Sequence, residues 1–159
     1  MKNADTALLS KCRVLLVDDS MQQGKLMARL LRKIGVGAVR TVFDPTLAFS
    51  ELHLFEANLA MIDLDMSPLD GAEVIHLIRT AAEARYLEIP LLCISGHSLA
   101  QDVLKTKSAG ADDYLVKPFG AAQLRQRLLT HLRRIDSRRL PGGAPALASG
   151  NGAPHSLVH

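Results

Sequence analysis

The stretch MIDLDMSPLDG, Met61 to Gly71, places three aspartates, Asp63, Asp65 and Asp70, within eight positions. Asp63 follows directly on the apolar run LAMI. An ionised carboxylate at the mouth of a buried strand is costly unless something compensates it. The same arrangement, an apolar run closed by a polar group, recurs along the chain. VLLV is closed by Asp18 and Asp19, LLCI by Ser95, and YLV by Lys117.

Those runs are the strands that must position the polar groups. Five short apolar runs, CRVLLVDD, AVRTVF, LAMID, PLLCIS and DYLVK, alternate with five segments that can be helical. From Ser20 to Ile34, Leu26, Met27, Leu30, Leu31 and Ile34 fall at helical spacing, with Ser20 as N-cap and Gly35 as stop. Pro45 opens a second helix through about His53, since proline is tolerated in a first turn. Gly71 to Ala82 reads as a third, with Val74, Ile75 and Ile78 turned inward. The fourth, Leu99 to Ala109, has the poorest apolar stripe, so it is expected to pack lightly and to be mobile or partner-facing. The last runs from about Ala121 to Ile135, with Leu124, Leu128, Leu132 and Ile135 at a clean helical period.

Strict alternation of strand and helix predicts an α/β fold with a parallel sheet covered on both faces. In such sheets the working groups gather at the C-terminal ends of the strands. Asp18, Asp19, Asp63, Ser95 and Lys117 would then converge at one edge. Carboxylates brought that close repel one another and raise each other's pKa, and a divalent cation removes the repulsion. Mg2+ suits the set, because it wants hard oxygen ligands and keeps several waters. A phosphoryl group arriving at one carboxylate would be held by the cation, the Lys117 ammonium and the Ser95 hydroxyl. Asp63 is the natural nucleophile, giving an aspartyl phosphate.

The set LLVDDS, MIDLDMSPLDG, LCISG and DDYLVKPF, in that order and at that spacing, resembles the receiver domain of two-component response regulators over about residues 11–136. The resemblance implies a flavodoxin-like (βα)5 fold with strand order 2-1-3-4-5. It implies Asp63 as phosphoacceptor and Asp18 and Asp19 as the acidic pair for Mg2+, with Asp63 itself and the backbone carbonyl of Asp65 completing the protein ligands. Ser95 matches the hydroxyl that bonds the phosphoryl group, Lys117 the lysine that pairs with it, and Tyr114 the aromatic switch residue. Lys117–Pro118 matches a peptide bond that is usually cis in the family. The side chains of Asp65 and His97 match positions that flank the phosphoryl group and tune its lifetime, and an acid and an imidazole there could contact one another. The implied phosphodonor is a sensor histidine kinase or a phosphotransfer protein. The implied output is a protein partner bound through the surface of the fourth helix, fifth strand and fifth helix.

In one place the sequence departs from the family. Met-Pro commonly stands three and four residues after the acceptor, whereas here those positions are Met66 and Ser67, with the proline displaced to Pro68. Asp70 and Gly71 still follow at the usual distance and read most simply as turn chemistry.

Two other readings compete. MIDLDMS also resembles the DxD motif of haloacid-dehalogenase-type phosphatases, with Asp63 as nucleophile and Asp65 as general acid/base. In those enzymes the DxD comes first and the acidic pair last, the reverse of this chain, and a cap insertion is usual. The other is a receiver-like binding module that signals without phosphate, against which the complete set of site residues argues.

The rest of the chain bounds these readings. Its 159 residues suit one domain plus some extra, and with 48% hydrophobic but only 4% aromatic residues the core must be mostly aliphatic. No apolar run approaches the roughly 20 residues that cross a bilayer, and no signal peptide is evident. Cys12 and Cys93 sit inside apolar runs without zinc spacing, as reduced thiols of a cytoplasmic protein would. The net charge of +3 is carried by residues 121–159, which hold six arginines against one acid. Arg125, Arg127, Arg133, Arg134, Arg138 and Arg139 read as the solvated face of a last helix, not as a nucleic-acid contact, because no aromatic residues interleave with them. Residues 1–10 read as an N-terminal extension, and the Gly-, Pro- and Ala-rich residues 137–159 as a disordered tail. With no DNA-binding or enzymatic segment following, the expectation is a stand-alone receiver.

Overall fold

The computed structural model of the chain describes residues 2–139, apart from 82 and 84. The elements are α1 (Lys2–Ser10), β1 (Arg13–Val17), α2 (Met21–Lys33), β2 (Ala38–Val42), a 3-10 turn (Pro45–Leu47) leading into α3 (Ala48–Phe55), β3 (Leu59–Asp63), α4 (Gly71–Arg79), α5 (Arg85–Glu88), β4 (Leu91–Ser95), α6 (Ala100–Ala109), β5 (Asp113–Val116) and α7 (Ala121–Arg139). All strand pairs are parallel, in the order β2-β1-β3-β4-β5. This is the expected flavodoxin-like order.

Alternate residues of each strand feed alternate faces of the sheet. Leu15, Val17, Ala60, Ile62, Leu91 and Cys93 pack with Leu52 of α3 and Val74, Ile75 and Ile78 of α4. Val14, Leu16, Leu59, Met61, Leu92, Ile94 and Leu115 pack on the other side, with Leu9 of α1, Leu31 of α2 and Leu124, Leu128 and Leu132 of α7. β3 and β4 are buried along their whole length, which is why their sequences are unbroken apolar runs and do not alternate. Both cysteines are free and buried, and burial pushes each thiol up to about 12.

Helix ends follow local chemistry. Ser20 caps α2, its Oγ accepting from the Gln23 N–H, and Gly35, at φ +105°, turns the chain away after it. The second helix begins three residues later than its sequence suggests: Asp44 and Pro45 set a 3-10 turn first, with the Asp44 carboxylate accepting from Thr46. α4 stops at Arg79, short of the expected end at residue 82, which lies outside the described residues. Among the described residues, no helix is long and apolar enough to cross a membrane.

Three features depart from the expectations. Residues 2–10 are helical and dock on α7: Leu9 is buried in the core and Asp5 forms a bidentate pair with Arg133. Nine residues with two leucines show too little periodicity to read as a helix. The short α5 was unforeseen for the same reason; it seats the fully buried Tyr86. Third, the arginines of α7 are not simply solvated. Arg127 pairs with Asp113, Arg133 with Asp5 and Arg134 with Asp112. α7 also continues to Arg139, three residues into the stretch expected as tail; residues 140–159 lie outside those described. With α1 and α5 present, the fourth helix, fifth strand and fifth helix of the sequence reading are α6, β5 and α7.

Candidate functional site

The parallel register sets where the strand ends fall. β1 ends level with β3 through Val17 and Ile62, and Asp63 lies beside Ile94, one residue before Ser95. The ladder runs on past Asp63, where the Leu64 N–H donates to the Ile94 carbonyl at 2.8 Å. The Lys117 N–H donates to the Ser95 carbonyl at 2.7 Å, which joins the ends of β4 and β5. Asp18, Asp19, Asp63, Ser95 and Lys117 therefore meet at one edge of the sheet, as their places in the sequence imply.

Carboxylate oxygens of Asp18, Asp19 and Asp63 all lie within 4.8 Å of one another. Asp18 and Asp63 are buried, whereas Asp19 is exposed. Burial pushes the Asp63 carboxyl up to about 6; Lys117 pulls against that shift and Asp18 adds to it. Asp18 is likewise raised by burial, against the Ser20 N–H that donates to its Oδ1 at 2.9 Å. A converging set of hard oxygens, with the ionised forms of Asp18 and Asp63 disfavoured by burial, is the donor set a small divalent cation fits.

The Lys117 ammonium stands 3.1 Å from Asp63 Oδ1. It also donates to Gln23 Oε1 at 2.9 Å. Sequence reading missed Gln23; its place in the first turn of α2, after the Ser20 cap, was the available signal. Ser95 is fully buried, and its Oγ accepts from the His97 N–H at 3.0 Å. The Tyr114 hydroxyl donates to the His97 carbonyl at 2.8 Å, and its ring is half-buried. Asp65 and His97 approach each other at 3.6 Å, both more than half exposed.

The acceptor loop is shaped by close contacts. α4 starts directly on the backbone of β3: the Gly71 N–H donates to the Leu64 carbonyl, and a Cβ on Gly71 would stand 2.4 Å from the Asp63 carbonyl oxygen. Asp70 is more than turn chemistry. It caps α4 in a reciprocal box with Glu73, and its other oxygen meets Lys105 of α6 at 2.6 Å. Peptide bonds Ser67–Pro68 and Lys117–Pro118 are both cis, the second as expected and the first unforeseen. The Ser67 N–H donates to Asp19 Oδ2 at 3.2 Å. A cleft of about 400 Å3 opens beside this loop, lined by Asp19, Asp65, Ser67, Asp70, Asp102 and Lys105 among others, so that it reaches the exposed member of the acidic cluster.

The family described as response regulator receiver domain matches residues 14–129. The transcriptional regulatory protein TctD of Salmonella typhimurium is 35% identical over 122 residues, 77% of this chain and 52% of that protein. The chain thus spans about half the length of that relative. The chemotaxis protein CheY-3 of Vibrio cholerae is 28% identical over 123 residues, 77% of this chain and 93% of that one. Among solved structures, chemotaxis protein CheY4 of Vibrio cholerae superposes with a TM-score of 0.69 at 25% identity, covering 75% of this chain and 97% of its own. From the ordered strand-end residues, the sheet topology and these matches together, the chain belongs to the response regulator receiver domain family.

Proposed function

We propose that Asp63 accepts a phosphoryl group from the phosphohistidine of a sensor histidine kinase or phosphotransfer protein. A carboxylate oxygen of Asp63 attacks phosphorus, the P–N bond breaks, and the electron pair leaves with the donor imidazole, which takes up a proton. The observation that carries this reading is a buried strand-end carboxylate with an ammonium at 3.1 Å and two further carboxylates within 4.8 Å. Asp18, Asp19 and Asp63 would hold Mg2+, with the Asp65 carbonyl as a further ligand. When bound, the ion neutralises charge on the transferring group. Lys117 balances the same charge from the β5 side. The Ser95 hydroxyl lies between β3 and β5 and can turn to donate to a phosphoryl oxygen.

The output is a change in the surface of α6, β5 and α7, read by a protein partner. Tyr114 and the loop carrying His97 are the moving parts in this reading. Once Ser95 turns toward Asp63, its bond to the His97 N–H is given up, and the Tyr114 hydroxyl that rests on the same residue is freed to turn inward. Asp65 and His97, as a pair, meter water to the aspartyl phosphate.

Stoichiometric, Mg2+-dependent labelling by acetyl phosphate, lost in Asp63→Asn, is the expected result. Many turnovers of a phosphate ester without a stable labelled protein would sink the reading in favour of a dehalogenase-type phosphatase. That alternative has no observation in its favour here.

A further inference from the structure

The three carboxylates of the acidic cluster are not held alike. Asp18 is oriented from its own turn, by the Ser20 N–H two residues on. Asp63 is held by Lys117. Asp19 is exposed, and its donor comes from the acceptor loop 48 residues away, the N–H of Ser67. Ser67 is also the position at which the sequence departs from Met-Pro. A proline there has no N–H to give.

We infer that the Ser67 N–H is a positioning donor for Asp19, fixing its carboxylate for the divalent cation and tying the acceptor loop to the acidic pair. The inference rests on the reading of Asp18, Asp19 and Asp63 as a cation site. Its basis is geometric. The bond engages Asp19 Oδ2 and leaves Oδ1 for a ligand. It is charge-assisted, hence stronger than a bond between neutral groups. Outer hydrogen bonds of this kind orient a ligating carboxylate, and their loss typically costs 10–100-fold in metal affinity. Residue identity acts here through the backbone. Any residue with an N–H serves at 67, and the Ser67 hydroxyl has no part. The displaced proline is therefore compensated: the loop keeps its length and gains a donor that reaches the exposed member of the pair.

The test measures Mg2+ affinity by calorimetry and single-residue amide exchange by NMR. Ser67→Pro is expected to raise the Mg2+ dissociation constant about tenfold, whereas Ser67→Ala, which keeps the N–H, leaves it unchanged. In Mg2+-free buffer, Asp19→Ala is expected to speed exchange of the Ser67 amide while leaving that of the Leu64 amide, bonded to Ile94, as it was. Mg2+ binding by Ser67→Pro with wild-type affinity overturns the inference alone. Absence of Mg2+ binding by the wild type overturns the cation reading and the inference with it. If Ser67→Pro fails to fold, the exchange comparison decides, and an unchanged Ser67 rate in Asp19→Ala is the negative result.

Discussion

The Lys117 ammonium is shared between Asp63 on β3 and the side-chain amide of Gln23 on α2, at 3.1 and 2.9 Å. A lysine on four rotatable bonds would otherwise sample solvent, and the amide oxygen holds it over the acceptor. Gln23→Leu removes that hold and leaves the charge. Labelling from acetyl phosphate should slow about fivefold, the equivalent of about 1 kcal/mol for one hydrogen bond. Urea unfolding should be nearly unchanged, because Gln23 is an exposed residue.

Asp70 carries two separable interactions, the α4 cap and the pair with Lys105. Asp70→Asn keeps a capping oxygen and loses the charge. Because the Lys105 side chain is 54% exposed, the stability lost should be under about 0.5 kcal/mol. Asp70→Ala loses the cap as well and should cost about 1 kcal/mol. Chemical denaturation of the two variants separates the terms.

Asp113, at the start of β5, is a half-buried acid-sensitive point away from the candidate site. Burial pushes its carboxyl up, but the His131 side chain, the Tyr114 N–H and Arg127 together hold it below the usual carboxylate range. A carboxyl depressed in the folded state contributes stability above its unfolded pKa and loses it as pH falls through the folded value. The contribution is therefore complete above about pH 4 and disappears below it. Asp113→Asn should cost about 2 kcal/mol at pH 7, the scale of hydrogen bonds to a charged group. It should also flatten the acid limb of a plot of stability against pH. Parallel limbs for wild type and variant would count against the assignment.

Leu9 shows whether α1 belongs to the folded unit. It is 1% exposed and packs beneath α7, and the Gly37 N–H donates to its carbonyl. Leu9→Ala should lose about 2–4 kcal/mol, as a core leucine does. A loss under about 0.5 kcal/mol would make residues 2–10 an appendage. Two adjacent leucines cannot display a helical period, so from sequence residues 1–10 read only as an N-terminal extension.

The sequence by itself determined the alternation of strands and helices, the parallel sheet, and the acidic, hydroxyl and ammonium groups at the strand ends. Each of these is written in a short window. Val14 to Val17 or Leu91 to Ile94 is legible as a buried strand from its own residues, and strands in a parallel sheet all point their C-terminal ends to one edge. The Ser20 helix cap is equally local. The tertiary structure alone decided which groups steady the site and which dock α1. Ser67 reaches Asp19 across 48 residues, Gln23 reaches Lys117 across 94, and Asp5 reaches Arg133 across 128. Such pairs depend on strand register and on the path of each loop, and neither leaves a period or a motif in the chain. A hydrogen bond made by a backbone N–H, as at Ser67, leaves no trace in residue type beyond not being proline.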